Sequence, residues 1–169
     1  MTVEESFRDY AVRKLLQSNE RIARCFELLS EEQIWHRAGE ASNAPGNLAL
    51  HLAGNVRQWI VHGVGGAADT RARDTEFAAR GGHTRGELLK RLEAAVREAV
   101  EVIRTAKLDA PVHVQKYDLP AVEAIFHVVE HFSYHTGQIV FAAKAFTDRD
   151  LAFYGALNAA AKPVSEQTP

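Results

Sequence analysis

Apolar residues recur every three or four positions along most of this chain, the spacing of one face of an α-helix. Over about residues 3–29 the stripe is Val12, Leu15, Leu16, Ile22, Ala23, Phe26 and Leu29. Ser30-Glu31-Glu32-Gln33 then has the form of a capping box and predicts a short helical turn toward Trp35. The stretch from His36 to Gly46 is rich in Gly, Ser, Asn and Pro and predicts a loop. A second helix is expected from about Asn43–Asn47 to His62, with Leu48, His51, Leu52, Asn55 and Trp59 on its buried face.

His62 to Gly82 carries glycines, alternating Asp and Arg, and one apolar patch at Phe77. It is expected to be a long surface loop with room for one helical turn, in which Arg71, Arg73 and Asp74 form a solvated charge cluster. Loops of this length are uncommon in a compact domain unless they serve a site. Thr84-Arg85-Gly86-Glu87 is another capping box, and the helical period continues from Leu88 to about Thr105. Pro111 to Tyr117 alternates weakly, as a short extended stretch would. Pro120 suits the first turn of a last helix, about 120–146. Its apolar residues, among them Ile125, Phe126, Phe132, Ile139 and Phe141, cover more than one face, so it is expected to be central and packed on several sides.

Four long helices without a convincing strand or a fixed repeat predict an all-α fold, a four-helix bundle with long crossover connections. One domain is expected over residues 1–158, followed by a polar tail, 159–169. With 169 residues the chain can bury a substantial core. Twenty Lys and Arg against 22 Asp and Glu, with no basic run, argue against a grip on nucleic-acid phosphates. No apolar run is long enough for a membrane span, and the acidic N-terminus lacks a signal-peptide pattern, so a cytoplasmic location is expected. The single Cys25 forbids an internal disulfide and, lying on the first apolar stripe, reads as inert packing.

The candidate chemistry lies in histidines. His131 and His135 are four apart on the most apolar helix, so their Cβ atoms stand about 5–6 Å apart on one side. His51 adds a donor from the helix expected to face them. Imidazoles on buried faces need partners, which a shared divalent ion would supply; the alternative is three packing histidines satisfied within the core. Three nitrogen ligands leave a coordination position for water or substrate and suit zinc or nickel, with iron or copper admissible and magnesium or calcium disfavoured.

A zincin-type protease needs Glu directly after the first histidine, where this chain has Phe132. Glu130 reads as a helix-surface residue. His127, one turn before His131, is open to three readings: fourth ligand, acid/base group, or a ring bonded to a backbone carbonyl. Asn55, one turn after His51, either orients a ligand or bridges helices, and Gln138 shares that ambiguity. Ser133 faces away from the histidines, which leaves a serine-nucleophile arrangement without a base.

The block Asn43-Ala44-Pro45-Gly46-Asn47-Leu48-Ala49-Leu50-His51-Leu52-Ala53-Gly54-Asn55, with Val128-Val129-Glu130-His131-Phe132-Ser133-Tyr134-His135-Thr136-Gly137-Gln138-Ile139 downstream, resembles the DinB-like superfamily of damage-inducible proteins. The resemblance implies a four-helix bundle, often dimeric, with a divalent metal on His51, His131 and His135. Relatives of that kind include S-transferases and isomerases using bacillithiol or mycothiol, and metal-dependent hydrolases. The resemblance leaves the activity of this chain open and makes a homodimer the expected assembly, and His127 departs from a bare three-histidine pattern. The open coordination position motivates the first functional expectation, an enzyme acting on a small molecule, with a low-molecular-weight thiol as candidate co-substrate and His127 and Asn55 as candidate catalytic residues. The competing expectations are a non-catalytic stress-response module stabilised by metal, and a structural role with no metal.

Overall fold

A computed structural model describes residues 1–155. The tail expected at 159–169 lies outside the described residues. The chain is mostly helical, in the order α1 (Val3–Leu28), α2 (Glu31–Trp35), α3 (Pro45–Val56), α4 (Arg73–Ala78), α5 (Arg85–Thr105) and α6 (Ala121–Thr147). Strands β1 (Pro111–Val114) and β2 (Tyr117–Pro120) form an antiparallel hairpin between α5 and α6.

Local chemistry sets most helix starts. Thr2, Ser30 and Thr84 each accept a hydrogen bond from the backbone N–H three residues on, and Glu5, Gln33 and Glu87 reach back to close the box. At α3 the cap residue is Ala44, and the Asn47 carboxamide oxygen accepts from the Ala44 N–H instead (3.1 Å). Pro45 fits the first turn, where its missing N–H costs nothing.

Four long helices form the bundle. α1 packs against α5 and α6, and α3 packs against the same two from the opposite side, so α1 and α3 lie on one diagonal. Leu15, Ile22, Phe26, Leu52, Leu92, Ile103, Ile125 and Phe132 fill the centre. Of the two adjacent leucines on the first stripe, Leu15 is buried and Leu16 is 46% exposed. Neighbours on a helix point about 100° apart, and the core takes one of them.

The second helix does not stop at His62. It continues as a π-helical segment, Arg57–Val64, closed by Gly65 N–H to the Ile60 carbonyl (2.8 Å). Wider turns of this type often mark functional sites. The expected loop then holds α4, and the extended stretch at 111–117 is the first strand of the hairpin. Val112 and Val114 of β1 point inward, and Val114 reaches no solvent.

The expectation for the last helix needs correction. Phe126 and Phe141 are 60% and 75% exposed, so α6 packs against α1, α3 and the hairpin but leaves one face open to solvent. The element enclosed on all sides is α3, where every residue from Pro45 to Ala53 is buried. No helix among the described residues is long and apolar enough to cross a membrane.

Candidate metal centre

Where α3 and α6 face each other, three imidazoles meet. His51 comes from α3, and His131 and His135 from successive turns of α6. One ring nitrogen of each lies within 4.8 Å of the other two, a spacing that could hold a metal ion. The His51 and His131 Nε2 atoms are 2.8 Å apart, and His135 sets its ring edge toward both, with centroids at 5.1 and 4.5 Å.

The other nitrogen of two of these rings is anchored. His51 Nδ1–H donates to Glu76 Oε2 at 3.0 Å, and His135 Nδ1–H donates to Gln138 Oε1 at 2.7 Å. Both acceptors are oxygens, which fixes the proton on Nδ1 and turns the Nε2 lone pair inward, the orientation a metal requires. Burial, reinforced by His135, His51, His127 and Arg71, pushes His131 down to about 3. Burial lowers His135 as well, against its hydrogen bond to the Gln138 oxygen, which raises it. These two rings are neutral donors at neutral pH, so the residues fit a transition ion.

Glu76, on α4, is held from two sides. Arg71 Nε donates to Oε1 and Arg71 Nη2 to Oε2, both at 2.8 Å, a bidentate pair buried beside His51. Burial alone would raise the Glu76 carboxyl, but the hydrogen bonds from Arg71 and His51 outweigh it and keep it below its ordinary value. Arg71 Nη2 also lies 3.1 Å from His51 Nδ1. A guanidinium cannot accept, so the two N–H groups are neighbours on one carboxylate oxygen.

The expected solvated cluster is therefore wrong for Arg71, whose side chain is 4% exposed. It pairs with a buried carboxylate and also donates to Gln58 Oε1 (2.9 Å). Arg73 stands over the Phe77 ring at 5.0 Å, and that ring packs on His51 at 4.6 Å.

α4 is moored to α3 by Asn47, whose amide donates to the Glu76 and Ala79 carbonyls, each at 2.9 Å. Gly54 gives Glu76 its place, since a Cβ there would fall on Oε1 and come within 3.0 Å of Arg71 Nε. Neither Glu76 nor Gly54 was singled out from sequence. The available signal was a crossover longer than the fold needs, with an acid beside its one apolar patch.

The remaining candidates stand around the cluster. His127 lies outside it, its ring on Trp59 at 4.2 Å and 5.5 Å from His131. Asn55 is 4% exposed, and its buried carboxamide oxygen has no hydrogen-bond partner. Both line a cleft of about 440 Å³ that opens onto His51 and His131 and includes Trp59 and Arg71. A larger apolar groove, about 540 Å³, runs beside Tyr134 and Phe141. It touches Gln138 but none of the three imidazoles. Glu130 and Ser133 are exposed. Cys25 reaches no solvent, and burial, opposed by Arg24, pushes its thiol up to about 11.

The fold is similar to that of a DinB-like protein, YjoA, from Bacillus subtilis, with a TM-score of 0.65 over 86% of this chain and 97% of that one. At 16% identity that similarity establishes the fold alone. The chain belongs to the family described as "Protein of unknown function (DUF1572)", which matches residues 3–156. No curated protein matches it in sequence.

Proposed function

We propose that this protein is a metal-dependent enzyme acting on a small molecule, with His51, His131 and His135 holding one divalent transition ion. Zinc or nickel suits three neutral imidazoles best, and iron is also compatible. The observation that carries the reading is the arrangement of the three rings, two of them anchored through Nδ1, on the wall of a cleft able to admit a ligand. A cavity of about 440 Å³ falls within the range of small-molecule sites.

A bound ion with an open position would supply Lewis acidity, lowering the pKa of a coordinated water or thiol. The chain's own residues divide the remaining work. Glu76 and Gln138 orient the rings that they accept from. His127, half-buried at the cleft wall, is positioned to take or return a proton, and Asn55 offers its unpaired carboxamide to a polar group of the ligand. The reaction class that suits this set is thiol S-transfer or hydrolysis.

Elemental analysis of untagged protein, purified without added metal, is the first test, with about one transition ion per chain expected. Turnover is then measured on a panel of thiol transfers from bacillithiol and mycothiol to electrophiles, together with ester and amide hydrolysis. Metal-dependent turnover that is lost in His131→Ala supports the enzyme. A metal-loaded protein that is stabilised yet inert across the panel points to the stress-response module instead.

A further inference from the structure

One polar group in the cleft beside the imidazoles is uncommitted. Asn55 is 4% exposed, and its carboxamide oxygen has no hydrogen-bond partner among the described residues. A buried acceptor left unpaired costs stability, so a site that keeps one is complete only when a donor enters.

A second acceptor comes from the hairpin. Val114 pairs with Tyr117, which makes Gln115 and Lys116 the two turn residues. Gln115 has φ +55°, a left-handed conformation at which such turns ordinarily place glycine, asparagine or aspartate. A glutamine is strained there, and residues held in such conformations gather at functional sites. Its side chain lines the cleft, and its Nε2 donates to Gln58 Oε1 at 2.7 Å. Gln58 is itself held, accepting from Arg71 at 2.9 Å and donating to Asp69 Oδ2 at 2.8 Å. The bond to Gln58 therefore fixes the Gln115 carboxamide against the crossover. Its oxygen remains as an acceptor on the cleft wall.

The charges nearby do not favour an ionic ligand group. Arg71 is committed to Glu76 and Gln58, and the other two charged residues of the cleft, Arg73 and Glu123, are opposite in sign and exposed. Two neutral oxygens call for N–H or O–H donors. A carboxylate brings none, and an ammonium would bury its charge among neutral groups. A primary amide is uncharged and has two N–H donors, one for each oxygen.

We propose that Asn55 and Gln115 are specificity-determining residues of this cleft, and that they select ligands carrying a primary amide, whose N–H groups donate to the two carboxamide oxygens. The inference rests on the reading of the cleft as the site of a metal-dependent enzyme, and it adds the chemical class of the substrate.

Isothermal titration of the metal-loaded full chain tests it with four thiols of equal length: mercaptopropionamide, mercaptopropionate, mercaptopropanol and propanethiol. The amide is expected to bind about tenfold or more tighter than the other three. In Asn55→Leu and Gln115→Gly the preference should shrink to within about threefold, with metal content unchanged. Glycine fits the turn, so Gln115→Gly should melt at or above the wild-type temperature while losing selectivity, which a purely structural glutamine would not do. That exposed site answers the question even if Asn55→Leu fails to fold. Four thiols bound equally, a carboxylate or alcohol bound as well as the amide, or a preference that survives Gln115→Gly overturns this proposal and leaves the metal reading standing. A chain that holds no ion and binds no thiol overturns both.

Discussion

His51 and Glu76, 25 residues apart in sequence, are joined by a 3.0 Å hydrogen bond with side chains 6% and 7% exposed. The carboxylate holds the proton on Nδ1 and so keeps Nε2 directed at the other two imidazoles. Glu76→Gln retains the shape and removes the charge, and metal affinity is expected to fall about 10–100-fold. Competition with a chromophoric chelator measures this, and an unchanged affinity would mean that Glu76 has no part in orienting His51.

Gly54→Ala tests the same contact from the opposite side. Alanine favours a helix by about 1 kcal/mol over glycine. Here the added methyl falls on the Glu76 carboxylate, which cannot withdraw without breaking its bonds to Arg71 and His51. Overpacking of this kind costs about 1–3 kcal/mol, so net destabilisation is expected, with weaker metal binding. Urea unfolding gives the sign, and a stabilised variant would refute the crowding.

His127→Ala distinguishes the fourth histidine from the three. Its ring packs on Trp59 outside the cluster. The variant is expected to bind metal at the wild-type stoichiometry, whereas His51→Ala, His131→Ala and His135→Ala each lose it. Inductively coupled plasma analysis of the four proteins decides the matter. Metal lost from the His127 variant would add that residue to the ligands.

Acid should destabilise the metal-free protein. His131 is held at about 3 by burial, reinforced by the surrounding histidines and Arg71, against 6.5 when free. Between these values the unfolded chain binds a proton that the folded chain refuses, so stability falls as pH drops from about 6.5 toward 3. His135 and His127, both lowered chiefly by burial, act in the same direction. Glu76 adds a loss that begins only near its unfolded value of 4.5. Thermal melting at pH 7.5, 6.5 and 5.5 (about one unit apart) should show a progressive decline, and a flat profile would count against buried neutral rings.

The long helices were legible because each carries an apolar period, and two starts were marked by the capping boxes at Ser30 and Thr84. The three histidines were legible as well, since a four-residue spacing survives into the structure as a shared helix face. Arg71 and Glu76 were not. They lie in an aperiodic, charge-rich crossover, where sequence alone favours solvation, and their burial depends on Asn47 and Gly54 of a different element. Phe126 and Phe141 misled for the converse reason. Hydrophobicity marks surfaces that seek cover without saying whether the cover comes from the same chain.

The Asn47 mooring bears on how anything reaches the imidazoles. With both amide hydrogens committed to the Glu76 and Ala79 carbonyls, and Arg71 locked across the Glu76 carboxylate, the crossover behaves as a bolted hatch. Traffic into and out of the pocket is left to the flank where Trp59 and His127 stand, and the size of a permissible visitor is set there.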